Sequence, residues 1–193
     1  MIKLDITYNP EEAVEYFNIL EKTYSHYKWK IDEDFLKLHE GQIGDYLDNL
    51  YGYSLRSPLD DLSVPYLPHN TALSAANPVW RDTELVFGFA KKIKDFFPGI
   101  RMMTVLGHPP TVGFGLHTDP ADYFTIQIPI KTNPDAFFIC GEKHNFKVGQ
   151  VYLIETGIEE HGTRNEGTTD RIHFVIKCNI ADLEKVKQLS GNI

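Results

Sequence analysis

The chemistry of this chain is concentrated in His117-Thr118-Asp119, in His161, and in Arg171 ten residues further on. On an extended strand, positions i and i+2 project from the same face, so His117 and Asp119 can converge on one point. His161 brings a second imidazole from far along the chain. Two neutral imidazoles and one carboxylate make the facial triad that holds a non-haem Fe(II) and leaves coordination positions open for small molecules. Thiolates would instead draw a site toward zinc or clusters. Arg171 offers a planar fork suited to one carboxylate of a bound co-substrate. Each residue also has an ordinary structural use. A strand-edge histidine can be satisfied by its neighbours, Asp119 before Pro120 can accept in a turn, and Arg171 can pair with Asp170 or Glu166.

To meet, these residues must ride on strands, and the second half of the chain reads that way. Arg101 to Leu106 is followed by the turn Gly107-His108-Pro109-Pro110, then Val112 to His117. Tyr123 to Ile130 alternates, with Ile126, Ile128 and Ile130 on one face and Thr125 and Gln127 on the other; either face can point inward. Asn133-Pro134-Asp135 turns into Ala136 to Cys140, and Gly141-Glu142-Lys143 turns again. Val151 to Ile154 and Arg171 to Cys178 supply two more strands. Short strands at this spacing predict an antiparallel sandwich or barrel.

Ahead of them, Asn9-Pro10-Glu11-Glu12 predicts a helix start, and Ala13, Phe17, Leu20 and Tyr24 form its apolar stripe. Asn77-Pro78 predicts a second start by the same chemistry. Its buried face is Leu85, Val86, Phe89, Ile93 and Phe97, and Pro98-Gly99 ends it. The stretch from Tyr27 to Tyr53, broken by Gly41, Gly44 and Gly52, yields no firm element. Ser54 to Val79 is a proline-rich irregular connection, either a lid or pocket wall or a loop packed over the barrel. Ala181 to Leu189 reads as a short surface helix. The expected fold is mainly β with flanking helices. A single domain spans 1–193, with a helical and irregular region over 1–98, a jelly-roll core of about eight strands over 99–180, and a C-terminal helix over 181–193. Two N-terminal helices pack on one sheet.

Length and composition agree. With 193 residues, 42% hydrophobic and 24% charged, the chain can bury a sizeable core. No run approaches the roughly 18 apolar residues of a membrane span. The opening Met1-Ile2-Lys3-Leu4-Asp5 resembles neither a signal nor a transit peptide, so a cytoplasmic location and no membrane partner are expected. Cys140 and Cys178 are too few for a disulfide scaffold and are expected as buried free thiols. A net charge of −8 without a Lys/Arg cluster argues against nucleic acid as a partner. Oligomeric state is not readable from these features.

Leu116-His117-Thr118-Asp119, then Phe146 and Gly149, then His161 with Asn165, Gly167 and Arg171-Ile172-His173, together resemble the Fe(II)/2-oxoglutarate-dependent oxygenases. The wording is most similar to the aspartyl/asparaginyl β-hydroxylase branch, which includes free-proline hydroxylases. The resemblance covers roughly the second half of the chain. It implies a double-stranded β-helix, a cupin-like jelly roll, with Fe(II) held by His117, Asp119 and His161. It also implies 2-oxoglutarate chelating through its 1-carboxylate and keto oxygen, with Arg171 clamping the far carboxylate. The implied reaction uses O2 to hydroxylate an amino acid, free or in a peptide, and releases succinate and CO2. His173 shares Arg171's face by parity and either lines the co-substrate pocket with Gln127 or serves as a core histidine. Members of the branch often carry a cationic or imidazole group where this chain reads Thr125-Ile126-Gln127-Ile128, so aspartyl specificity does not transfer directly. Asp119 supplies a carboxylate that the founding β-hydroxylase lacks. Arg101 and Arg164 are candidates for a substrate carboxylate or plain surface charge. The alternatives are another cupin-like metal-dependent enzyme without 2-oxoglutarate, and a non-catalytic β-sandwich binding module.

Overall fold

A computed structural model describes residues 1–28, 50–62 and 79–193. Fourteen strands are described: β1 (Ile2–Thr7), β2 (Tyr27–Lys28), β3 (Tyr51–Ser54), β4 (Arg56–Ser57), β5 (Arg81–Asp82), β6 (Ile100–His108), β7 (Gly113–His117), β8 (Tyr123–Lys131), β9 (Ala136–Cys140), β10 (Glu142–His144), β11 (Gln150–Ile154), β12 (His161–Asn165), β13 (Arg171–Asn179) and β14 (Ser190–Asn192). The helices are α1 (Pro10–Thr23), α2 (Gly88–Phe96) and α3 (Leu183–Lys187), the last preceded by one 3-10 turn, Ile180–Asp182.

A large sheet runs β14-β1-β11-β8-β13-β6-β3-β2, and a small one runs β10-β9-β12-β7. From β6 to β13 the chain crosses between them repeatedly, β9 and β10 forming one hairpin on the small side. That order is a jelly roll, the double-stranded β-helix, with every core pairing antiparallel. Closing two sheets on each other gives each large-sheet strand an outer face and a face turned into the sandwich.

The helices cover the outer face. Asn9 accepts the Glu11 amide at 3.0 Å and Pro10 opens α1, which buries Ala13, Tyr16, Phe17 and Leu20. α2 buries Phe89, Ala90 and Ile93. Tyr16 stacks on Phe174 of β13 at 5.6 Å, and Phe89 meets the same ring at 5.7 Å. Phe124, Ile126, Ile128, Ile172, Ile176 and Cys178 complete this core.

Several expectations are corrected. The second helix starts at Gly88, ten residues beyond Pro78; Asn77 and Pro78 themselves lie outside the described residues. Tertiary bonds hold the intervening chain extended. Arg81 and Asp82 pair with Arg56 and Ser57, Arg56 binds Asp82 Oδ1 at 2.8 Å and the Trp80 carbonyl at 2.7 Å, and the Thr83 hydroxyl reaches the Ser54 and Leu55 carbonyls. Leu85 and Val86 still pack on the core, from a turn rather than a helix. Gly107 and His108 continue β6 instead of turning, because Arg171 and Ile172 pair with them. The C-terminal helix is shorter than expected and is followed by β14, which lies parallel to β1. β1 and β12 were not foreseen. β1 carries its alternation openly in Leu4 and Ile6, both buried, whereas β12 reads His-Gly-Thr-Arg-Asn and has no apolar period at all. Most of the Tyr27–Tyr53 stretch and of the proline-rich connection lies outside the described residues. Both cysteines are free, Cys178 buried and Cys140 half-buried.

Candidate metal centre

The centre is built where β7 and β12 pair. His161 lies opposite His117, yet Thr163 lies opposite Phe114. Three residues of β7 therefore match two of β12, a β-bulge with one extra residue on β7. The bulge turns both Phe114 and His117 into the sandwich, and their rings are 6.0 Å apart. Two glycines make the close approach possible. A Cβ on Gly162 would sit 2.8 Å from the Phe114 carbonyl, and one on Gly113 would sit 2.1 Å from the Thr163 carbonyl.

Ligand atoms of His117, Asp119 and His161 all lie within 4.8 Å of one another. The His117 Nδ1 is 2.8 Å from the Gly115 carbonyl, and the His161 Nδ1 is 3.0 Å from the Glu159 carbonyl. A carbonyl only accepts, so both Nδ1 atoms carry the proton and both Nε2 lone pairs are free for a cation. The same device, a backbone acceptor two residues upstream, orients each ring. Burial, helped by neighbouring His117, brings the His161 pKa down to about 4, so that imidazole is neutral at physiological pH. Its Nε2 is 3.7 Å from Asp119 Oδ2, too long for a hydrogen bond. Two atoms each about 2.1 Å from one cation can be up to about 4.2 Å apart, so this spacing suits a shared metal. Burial raises the Asp119 pKa, but the Lys177 ammonium, nearby His161, the hydrogen bond from Lys177 and His117 together outweigh that and hold it below the usual carboxylate value. The donor set, two neutral nitrogens and one carboxylate, fits a labile divalent metal such as Fe(II).

Along β13, the inward face carries Arg171, His173, Val175 and Lys177. Arg171 turns inward and is 2% exposed. Its expected surface partners are engaged elsewhere: Asp170 accepts from Tyr51, and Glu166 lies beside Lys143 and Arg164. The guanidinium instead donates to His108 Nδ1 at 3.3 Å and to Gln127 Oε1 at 3.0 Å, both neutral. Burial draws its pKa to about 9, which leaves it a cation at neutral pH. No carboxylate pairs with it among the described residues, so this buried charge fits an anionic ligand.

Gln127 Oε1 also receives His173 Nδ1 at 3.0 Å. Since that oxygen faces a donor guanidinium, His173 is protonated on Nδ1, and its fully buried Nε2 has no partner among the described residues. His108, accepting on Nδ1, donates from Nε2 to the Thr163 hydroxyl at 3.1 Å. Burial and nearby Arg171 push both histidines well below the usual imidazole pKa. The structure thus brings Arg171, Gln127 and His173 into one cluster, and it brings His117, Asp119 and His161 into another. Phe146, part of the quoted resemblance, stacks on His173 at 5.9 Å, and Phe138 stacks on His161 at 5.7 Å. Arg101 pairs with Asp122 and Arg164 with Glu166, at the surface. Sequence reading missed His108, taken as a turn residue, and Lys177. Lys177 was accessible by counting in twos from Arg171.

No protein-family model matches the chain, and no curated protein is significantly similar to it. Solved structures do resemble it. An oxidoreductase of the 2OG-Fe(II) oxygenase family from Burkholderia pseudomallei is 14% identical over 93% of this chain and 95% of its own, with a TM-score of 0.45. A predicted oxalate decarboxylase from Thermotoga maritima is 22% identical over 47% of this chain and 73% of its own, with a TM-score of 0.36. A cupin 2 conserved barrel domain protein from Salinispora arenicola is 17% identical over 44% and 68%, with a TM-score of 0.34. These are loose likenesses of fold. Among the described residues, no helix is long and apolar enough to cross a membrane.

Proposed function

We propose that this chain is an Fe(II)/2-oxoglutarate-dependent dioxygenase that hydroxylates an amino acid, free or within a peptide, in the manner of the aspartyl/asparaginyl β-hydroxylase branch. The observation that carries this reading is the buried Arg171 guanidinium, paired among the described residues only with neutral groups, on the strand face from which Lys177 reaches Asp119. His117 and His161 would hold Fe(II) through their Nε2 atoms, together with Asp119. Arg171 would receive the far carboxylate of 2-oxoglutarate, with Gln127 and His173 beside it. When bound, the iron and its co-substrate supply the oxidising power that inserts one oxygen of O2 into a C–H bond as 2-oxoglutarate becomes succinate and CO2.

The protein's own part is placement. The Gly115 and Glu159 carbonyls fix the two imidazole tautomers, so no proton must leave before a metal binds. The Phe138 ring lies against His161 and limits its rotation. Gln127 Oε1 accepts from both the guanidinium and His173, so the cationic group would be held in place before an anion arrives.

The test is succinate formation from 2-oxoglutarate under air with Fe(II) and a panel of amino acids and peptides. Fe(II)-dependent succinate, raised by a particular substrate, is expected. No turnover together with no 2-oxoglutarate binding overturns the reading. A second reading, a cupin-like metal enzyme without 2-oxoglutarate, is favoured by the two donors that Arg171 already spends on His108 and Gln127. In that case Arg171→Ala leaves turnover of the true substrate largely intact.

A further inference from the structure

Six residues past Arg171 on the same inward face of β13 stands Lys177, opposite Thr125 of β8. Its ammonium donates to Asp119 Oδ1 at 3.0 Å and to the Tyr123 hydroxyl at 2.8 Å, and it lies 4.3 Å from the centre of the Tyr123 ring. Tyr123 is buried, and the Asp119 amide is tied to the Thr156 carbonyl at 2.8 Å. The two carboxylate oxygens of Asp119 are therefore in different situations. Oδ1 is held by a cation, whereas Oδ2 faces His161.

We propose that Lys177 is a positioning residue that makes Asp119 a one-oxygen metal ligand. The inference rests on reading His117, Asp119 and His161 as a metal centre, but on neither the identity of the metal nor the co-substrate. A carboxylate can offer a metal one oxygen or two, and the two-oxygen mode occupies a coordination position that a small ligand would otherwise take. An ammonium hydrogen-bonded to Oδ1 repels a second cation from that oxygen, and the repulsion is strong where water is scarce. Side-chain exposures of 10% for Asp119 and 15% for Lys177 put the pair in such a place. Tyr123 matters because it anchors the ammonium from the far side by hydrogen bond and by ring face. Lys177 thus trades metal affinity for an open coordination sphere. A divalent ion is held less tightly than the same three ligands would hold it alone, and it keeps more of its exchangeable water.

The experiment uses Mn(II) alone as the probe, with the full chain. Titration gives the affinity, and water-proton relaxation of the bound ion reads its exchangeable waters. Lys177→Met is expected to bind Mn(II) about tenfold or more tightly and to lose about one exchangeable water, while Lys177→Arg keeps wild-type values. Lys177→Gln, which removes the charge but leaves a polar head in the niche, serves in place of Lys177→Met should the latter fail to fold, with the same outcome expected. Unchanged relaxivity in the charge-removing variant, whatever its affinity, overturns the proposal. Weaker binding than wild type, as from a merely structural residue, also overturns it. If the wild-type chain itself binds no Mn(II) and His117→Ala changes nothing, the metal-centre reading has failed instead.

Discussion

β13 has two faces that obey different rules. Outward, Ile172, Phe174, Ile176 and Cys178 are buried among the rings and aliphatic side chains of α1, α2 and the neighbouring strands. Inward, Arg171, His173 and Lys177 are equally removed from water or nearly so, yet carry nitrogen at every position but Val175. Burial on one face releases water from apolar surface and stabilises the fold. Burial on the other costs desolvation, offset by hydrogen bonds to Gln127, His108, Asp119 and Tyr123. A strand built only for stability would have been apolar on both faces, as strands buried on both sides usually are. The difference separates the face that serves the fold from the face on which the proposed function depends.

That contrast can be broken most forcefully from the outside. Phe174→Ala removes a ring held between Tyr16 and Phe89 and should cost about 3–5 kcal/mol of unfolding free energy, read by urea denaturation. Metal binding by the fraction still folded should be unchanged. From the inside, Arg171→Met should alter stability less than that, because a buried charge is removed along with its hydrogen bonds. It should weaken 2-oxoglutarate binding by about 3 kcal/mol, on the order of a hundredfold in Kd by calorimetry. Equal stability losses in the two variants would erase the distinction between the faces.

The smallest effect sharpens the contrast through pH. His108 and His173 are held neutral, with pKa values well below that of an unfolded histidine, first by burial and then by Arg171. As pH falls below about 6.5, the unfolded chain takes up protons that the folded chain refuses, so stability drops with falling pH. Each histidine contributes up to about 1.4 kcal/mol per pH unit in that window. His173→Leu should remove its share of the slope between pH 6.5 and 5, measured by denaturation of the metal-free protein. Stability that is flat across that window in the unaltered chain would show that the inward histidines are not held neutral.

Much of this was legible beforehand because it depends on period two. His117 and Asp119, or Arg171 and His173, share a face by counting, and the apolar partners Ile126 and Ile128 mark the opposite one. Lys177 obeys the same count. What could not be read depends on partners remote in sequence. Nothing local told that β12 would form, since it reads His-Gly-Thr-Arg-Asn, with a glycine set by close backbone contact and no apolar alternation. The second helix failed to start where its apolar spacing allowed because Arg56 and Thr83 bind the chain in an extended path. His108 lies in a Gly-His-Pro-Pro run that resembles a turn, and its pairing with Arg171 together with the bond from Asn165 to its carbonyl keeps it in β6.

The surplus residue in β7 serves the aim of one imidazole more than the pairing of the strands. Shortening that strand by Gly115 alone would let it pair two-for-two with β12, and the sandwich could close much as before. Phe114 and His117, then two apart, would still share the inner face opposite Thr163 and His161, but the Gly115 carbonyl that holds the His117 Nδ1 proton would be gone. A change in chain length by one, with no candidate ligand exchanged, would thus leave three side chains on one face while removing the device that aims one of them.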